Sequence, residues 1–111
     1  RRLKMAHVVT YKYTRPTVLV DFPTATAEQA DWDIERRSLM TTHGIDLTYN
    51  VNVDGTVAEA VLTAENQETF QTYLAAIEAN GGKEILQDIK QRGESDGVTI
   101  EIFVNGVEHT P

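Results

Sequence analysis

The chain has 111 residues, 41% of them apolar and none of them cysteine, with seventeen acidic against ten basic side chains for a net charge of −7. That length and apolar share suit one folded domain with an ordinary core, and they exclude a disulfide framework or a cysteine-held metal. Such acidity without a basic block argues against a nucleic-acid partner, and no apolar run is long enough for a membrane-spanning helix.

Three of the ten basic residues, Arg1, Arg2 and Lys4, precede Met5. Residues 1–4 read as a disordered or foreign arm, and residues 5–111 as a single α+β domain. Without the arm, seven basic residues face seventeen acidic ones, a balance of −10. Residues 6–12 mix polar and apolar side chains and lack the apolar centre of a secretory signal, so the expected setting is cytoplasmic.

Residues 6–22 are rich in Val, Thr and Tyr, which suit a pleated, half-buried surface. Arg15-Pro16 interrupts the run, because proline removes a ladder donor and restricts its predecessor. Two strands are expected, 6–13 and 17–22, paired as a hairpin or joined as one bent strand, with Pro23 closing the second. Thr26 and Gln29 have the spacing of a capping box, and Gly44 suits a helix stop. They bracket a helix over about 27–42 whose apolar stripe is thin.

Ile45, Leu47, Tyr49, Val51 and Val53 alternate with polar residues, the period of a strand with one dry face. Asp54-Gly55 suits a two-residue hairpin turn. Pairing Val53 with Thr56 places Val51 opposite Ala58, Tyr49 opposite Ala60 and Leu47 opposite Leu62. A slip of one residue would bury the polar set, so the register is well specified.

A second helix starts between Thr63 and Asn66. Phe70, Tyr73, Leu74 and Ile77 recur at the spacing of one buried face, and Gly81-Gly82 ends it. A short third helix over 83–91 and a loop over 93–97 follow. Val98, Ile100, Ile102 and Val104 alternate as a last strand, and Asn105-Gly106 can fold residues 107–109 back as a small hairpin.

From Pro16 onward the order is strand, helix, two strands, helix, strand. This element order resembles the ferredoxin-like split βαβ sandwich. The resemblance implies an antiparallel sheet with two to three helices on one face. Strand 6–13 would then be an extra N-terminal strand.

No residue pattern names a reaction. Residues 50–55 match the opening of a calcium loop, but position twelve is Val61 rather than a bidentate Glu, and the flanks read as strands. Glu28, Asp31 and Glu35 share a helical side and read as a solvated acidic face. No metal and no cofactor is expected. His7, Tyr49 and Trp32 are the candidate catalytic or ligand groups, since each could bring a polar tip to an apolar pocket between sheet and helices. Tyr11, Tyr13, Val57, Val61 and Phe103 are the candidate interface, an aromatic and apolar patch on the open side of the sheet. A small acidic protein-interaction module, most simply a homodimer or else bound to another protein, is therefore the leading expectation. A cofactor-free or ligand-binding enzyme is the alternative.

Overall fold

A computed structural model describes residues 6–109 of the chain; the arm of residues 1–4 lies outside them. Strand β1 (His7–Thr14) comes first, then a long connection ending in a 3-10 turn (Ala27–Gln29) and helix α1 (Ala30–Thr42). Strands β2 (Asp46–Val51) and β3 (Val57–Ala64) precede helices α2 (Gln67–Glu78) and α3 (Gly82–Ser95), and β4 (Thr99–Val104) and β5 (Val107–His109) follow. The five strands form one open antiparallel sheet in the order β2-β3-β1-β4-β5. The fold is thus α+β, with three helices beside a five-stranded sheet.

The first strand is not an addition at the N-terminus of the fold. β1 lies at the centre, paired with β3 on one side and β4 on the other. The expected second strand, 17–22, does not form. It cannot pair with β1 as a hairpin partner, because both sides of β1 are occupied. Instead the Thr17 hydroxyl accepts the Leu19 N–H at 3.2 Å and its carbonyl accepts the Val20 N–H at 3.3 Å, which turns the chain. Arg15 then holds the segment in place. Its Nε donates to the Gly55 carbonyl at 2.7 Å and its Nη1 to the Val20 carbonyl at 3.0 Å. The guanidinium carbon lies 4.3 Å from the centre of the Phe22 ring. The strand that does extend the sheet is β5, at the opposite end of the chain.

The β2–β3 ladder has the register that the alternation predicts: Val51 pairs with Ala58, Tyr49 with Ala60 and Leu47 with Leu62. The turn is longer than two residues. Asn52 and Val57 close the ladder, with the Asn52 N–H donating to the Val57 carbonyl at 2.9 Å and Asn52 Oδ1 accepting the Val57 N–H at 3.0 Å. Asp54 Oδ1 accepts the Thr56 N–H at 3.1 Å and its hydroxyl at 2.6 Å. Two polar side chains of the calcium-like stretch, Asn52 and Asp54, are therefore engaged with their own loop. A similar device ends the β1–β4 ladder. Asn105 donates its N–H to the Val8 carbonyl at 2.7 Å while its Oδ1 accepts the Val8 N–H at 2.8 Å.

The helices pack on one side of the sheet. Phe70, Tyr73 and Ile77 of α2 form the buried cluster with Val9, Ile45, Leu62 and Ala64. Leu39 and Met40 of α1 and Leu86 of α3 pack against that cluster. Asn66 caps α2, its Oδ1 accepting the Thr69 N–H at 2.8 Å. The capping residue at the other helix also behaves as the spacing predicts: Gln29 Oε1 accepts the Thr26 N–H at 3.0 Å.

Helix α3 runs through the expected loop at 93–95. Gly93 is buried there because a side chain would collide with Pro23: a Cβ would sit 2.8 Å from its Cγ. The glycine admits a close approach rather than a turn. The connection is fastened to the same helix by Arg92, which donates to the Thr24 carbonyl at 2.8 Å and to Asp88 at 2.9 Å. Hydrogen bonds from Gln29 and Arg92 hold the Asp88 carboxyl below its ordinary range.

Gly82 at the start of α3 serves a second close approach. The Trp32 Nε1–H of α1 donates to the Ile77 carbonyl of α2 at 3.0 Å, and Gly82 lies against both. A Cβ at position 82 would fall 1.7 Å from the Ile77 oxygen and 2.7 Å from the indole nitrogen. Helix propensity alone favours alanine over glycine by up to about 1 kcal/mol. The packing predicts the reverse: Gly82→Ala should cost about 1–3 kcal/mol in denaturant unfolding. A stabilised variant would contradict this arrangement of the three helices.

Candidate functional site

Alternation sorts the sheet into two faces. On the helix side, Tyr49 and Tyr11 flank Ala60 in one cross-strand row, and Val51 and Tyr13 flank Ala58 in the next. Alanines on β3 thus sit between large side chains on both neighbours, and Ala58 has no exposed surface. The helix layer covers β1 and β3 but stops short of β2. Val9 and Leu62 are buried, whereas Leu47, Tyr49 and Val51 on the same face are 50%, 54% and 46% exposed. Val53, at the hairpin tip, is fully exposed.

The backbone of β2 is uncovered as well, since β2 is an edge of the sheet. The Asn52 bond to Val57 fixes which groups point outward. In an antiparallel ladder, hydrogen-bonded and non-hydrogen-bonded pairs alternate. Asn52, Asn50, Thr48 and Asp46 therefore turn their N–H and C=O toward β3. Leu47, Tyr49 and Val51 turn theirs away from it. The three residues with half-exposed apolar side chains are the three whose outward backbone groups pair with no strand among the described residues. At the other edge, β5 has only three residues, and Glu108 is at its middle.

The electrostatics of the tyrosine floor follow from burial. The Tyr13 hydroxyl pKa is pushed up to about 12, chiefly by burial and then by Tyr11, with Arg36 opposing. Burial also pushes Tyr11 to about 12, with Tyr73 and Glu78 adding to the rise and Arg36 again opposing. Tyr73 reaches about 12 for the same main reason. Arg36 of α1 is the cation nearest this group in effect. It bonds the Asp33 carboxylate, and its guanidinium carbon lies 5.2 Å from the centre of the Trp32 ring. Its Nε is buried and has no hydrogen-bond partner among the described residues.

The residues singled out from sequence fall in separate places. His7 is buried at the start of β1, its ring 5.4 Å from that of Phe70 and its Nδ1 3.5 Å from Asn105 Nδ2. Trp32 binds the end of α2, and Tyr49 stands on the exposed edge strand. No hydrogen bond or ring contact joins the three among the described residues. Of the interface set, Val57, Val61 and Phe103 share the open face, with Thr10 in register between Val61 and Phe103. Tyr11 and Tyr13 lie on the opposite, helix-covered face. Lys12 sits between Glu59 and Glu101 on the open face. A depression of about 350 Å³ lies at the start of α2, lined by His43, Asn66, Glu68, Thr69 and Thr72, and none of these candidates lines it.

The hold of Arg15 on the 17–22 segment and the exposure of Leu47, Val51 and Val53 were not legible in the sequence. The alternation correctly puts the β2 residues on the dry face, but a strand pattern does not say which strand the helices reach.

No protein-family model matches the chain, and no curated protein matches it. A solved structure titled "De novo designed protein Foldit4" aligns with 91% of this chain and 97% of its own, at 9% identity and a TM-score of 0.41. No helix among the described residues is long and apolar enough to cross a membrane.

The tyrosines give a pH dependence of known sign. Their folded pKa values lie above the ordinary 10.0, so the folded chain holds these protons more tightly than the unfolded chain. Their contribution is fully present below pH 10 and is lost as the pH rises toward 12. Tyrosinate absorbance and far-ultraviolet circular dichroism should therefore change together in that interval. Ionisation of these tyrosines well before any loss of structure would contradict the burial.

Proposed function

We propose that this chain is a small acidic interaction domain that works as a homodimer. The observation that supports it is the half-exposed apolar strip of Leu47, Tyr49 and Val51 on an edge strand, next to a fully exposed Val53. Apolar residues scattered singly on a surface need no explanation. Here they are consecutive positions of one face, on a strand with an unpaired backbone edge, which marks a contact surface rather than solvent-facing decoration.

The fold reading belongs to the same proposal. The order β2-β3-β1-β4, with α1 between β1 and β2 and with α2 and α3 between β3 and β4, fits a ferredoxin-like split βαβ sandwich to which β5 is added at the C-terminal end. In that reading, the helices occupy one face and the open face carries Val57, Val61 and Phe103 as a second, smaller apolar patch. A ligand-binding enzyme would need its polar tips to converge. The placement of His7, Trp32 and Tyr49 on separate contacts favours the interaction reading over it.

Each copy carries a charge of −7, so copies repel one another at low ionic strength. Salt screens that repulsion. Sedimentation velocity from low micromolar concentration upward should show a monomer–dimer equilibrium that tightens as salt is added. A strict monomer at every concentration and ionic strength would sink the homodimer reading.

A further inference from the structure

Resting on the homodimer reading, the geometry points to the partner surface itself: we infer that β2 pairs antiparallel with β2 of a second copy, about a two-fold axis through Tyr49. The outward backbone groups of β2 belong to Leu47, Tyr49 and Val51. Centring the pair on Tyr49 sets Tyr49 against its own copy and Leu47 against the copy's Val51. All three outward residues of both strands then exchange hydrogen bonds. Centring the pair on Thr48 or on Asn50 instead would set Val51 against Ile45 or Leu47 against Val53, both outside β2, and leave one outward residue of each strand without a partner in the other.

The side chains are self-complementary in this register. Directly opposed residues of an antiparallel pair lie on the same face. The strip of Leu47, Tyr49 and Val51 therefore meets the same strip of the second copy, on the side where each helix layer stops short of β2. On the other face, Thr48 meets Asn50, and Asp46 meets Asn52. The charged residue thus opposes an amide, and no like charges face each other across the pair.

The two edges of the sheet also differ in the way that self-pairing requires. Monomeric edges are usually short, charged or interrupted by proline. β5 has three residues with Glu108 at the centre, whereas β2 has six with no charge, proline or glycine from Leu47 to Val51. The result is a continuous ten-stranded sheet built from two five-stranded ones, with both helix layers on the same side. An extended peptide of another protein would use the same backbone groups, but would gain nothing from the two-fold match of Leu47 with Val51.

Tyr49→Lys places two ammonium groups opposite each other at the axis while altering a half-exposed residue. Sedimentation should show loss of the dimer over the whole concentration range in which the unmodified chain self-associates, with unchanged circular dichroism. Tyr49→Cys gives a second readout that does not need the dimer broken. The chain has no cysteine of its own, and opposed residues in a hydrogen-bonded pair stand about 5.5 Å apart at Cα, within disulfide range. Mild oxidation should link Tyr49→Cys into a covalent dimer and leave Lys12→Cys, on the central strand β1, largely unlinked. A dimer that persists in Tyr49→Lys, or a Tyr49→Cys chain that does not cross-link, overturns the β2 pairing and leaves the homodimer reading standing. A strictly monomeric parent chain overturns both.

Discussion

The fold depends on a size match across three strands. β3 presents Ala58, Ala60 and Ala64 where β1 and β2 present Tyr13, Tyr11, His7, Val51 and Tyr49. Large side chains on both neighbours occupy the space above small ones, and that arrangement works in only one register. Because strand side chains alternate with period two, a slip by one residue would expose this set and bury Thr48, Asn50 and Glu59. Once β1 and β3 are locked together, the remaining edge of β1 is available to β4, and α2 closes over the rows that contain Val9 and Leu62.

That constraint also explains what is left uncovered. Three helices lie on one side of five strands, and their core is centred on β1 and β3. β2 is joined to the sheet through β3 but receives little of the helix layer. Its dry face is dry by sequence pattern and half wet in the folded chain. An edge strand with an apolar face and an unpaired backbone is the kind of surface that natural proteins normally protect. The protection at β5 and its lack at β2 give the molecule a direction along which another strand can add.

The sequence was most legible where one periodicity dominated. The β2–β3 register, the Asn66 cap, the buried face of α2 and the small β4–β5 hairpin can all be read from spacing. It was least legible where a residue's role depends on a distant partner. Thr17–Phe22 has the composition of a strand, yet β1, the strand it follows, already has a neighbour on each side, and Arg15 ties the segment to Gly55 and Val20 instead. Gly93 looks like loop chemistry, but it is a helix position made bare by Pro23. Gly82 looks like a helix stop, yet it leaves room for the Trp32 bond to Ile77. Tyr11 and Tyr13 fall on the helix side rather than with Phe103, because β1 is central and its parity is set by two neighbours at once. The edge position of β2 could not be inferred from its own residues. It follows from the order of the whole sheet.

The central claim is that Leu47, Tyr49 and Val51 turn their amides outward into an edge that a second copy can fill. Residue-resolved amide hydrogen exchange at several protein concentrations tests it directly. In dilute solution the N–H groups of Leu47, Tyr49 and Val51 should exchange fast, while those of Thr48 and Asn50 are protected by β3. Raising the concentration should then slow the first set selectively. Fast exchange at Thr48 and Asn50, or protection of Leu47, Tyr49 and Val51 that is already complete in dilute solution, would contradict the account.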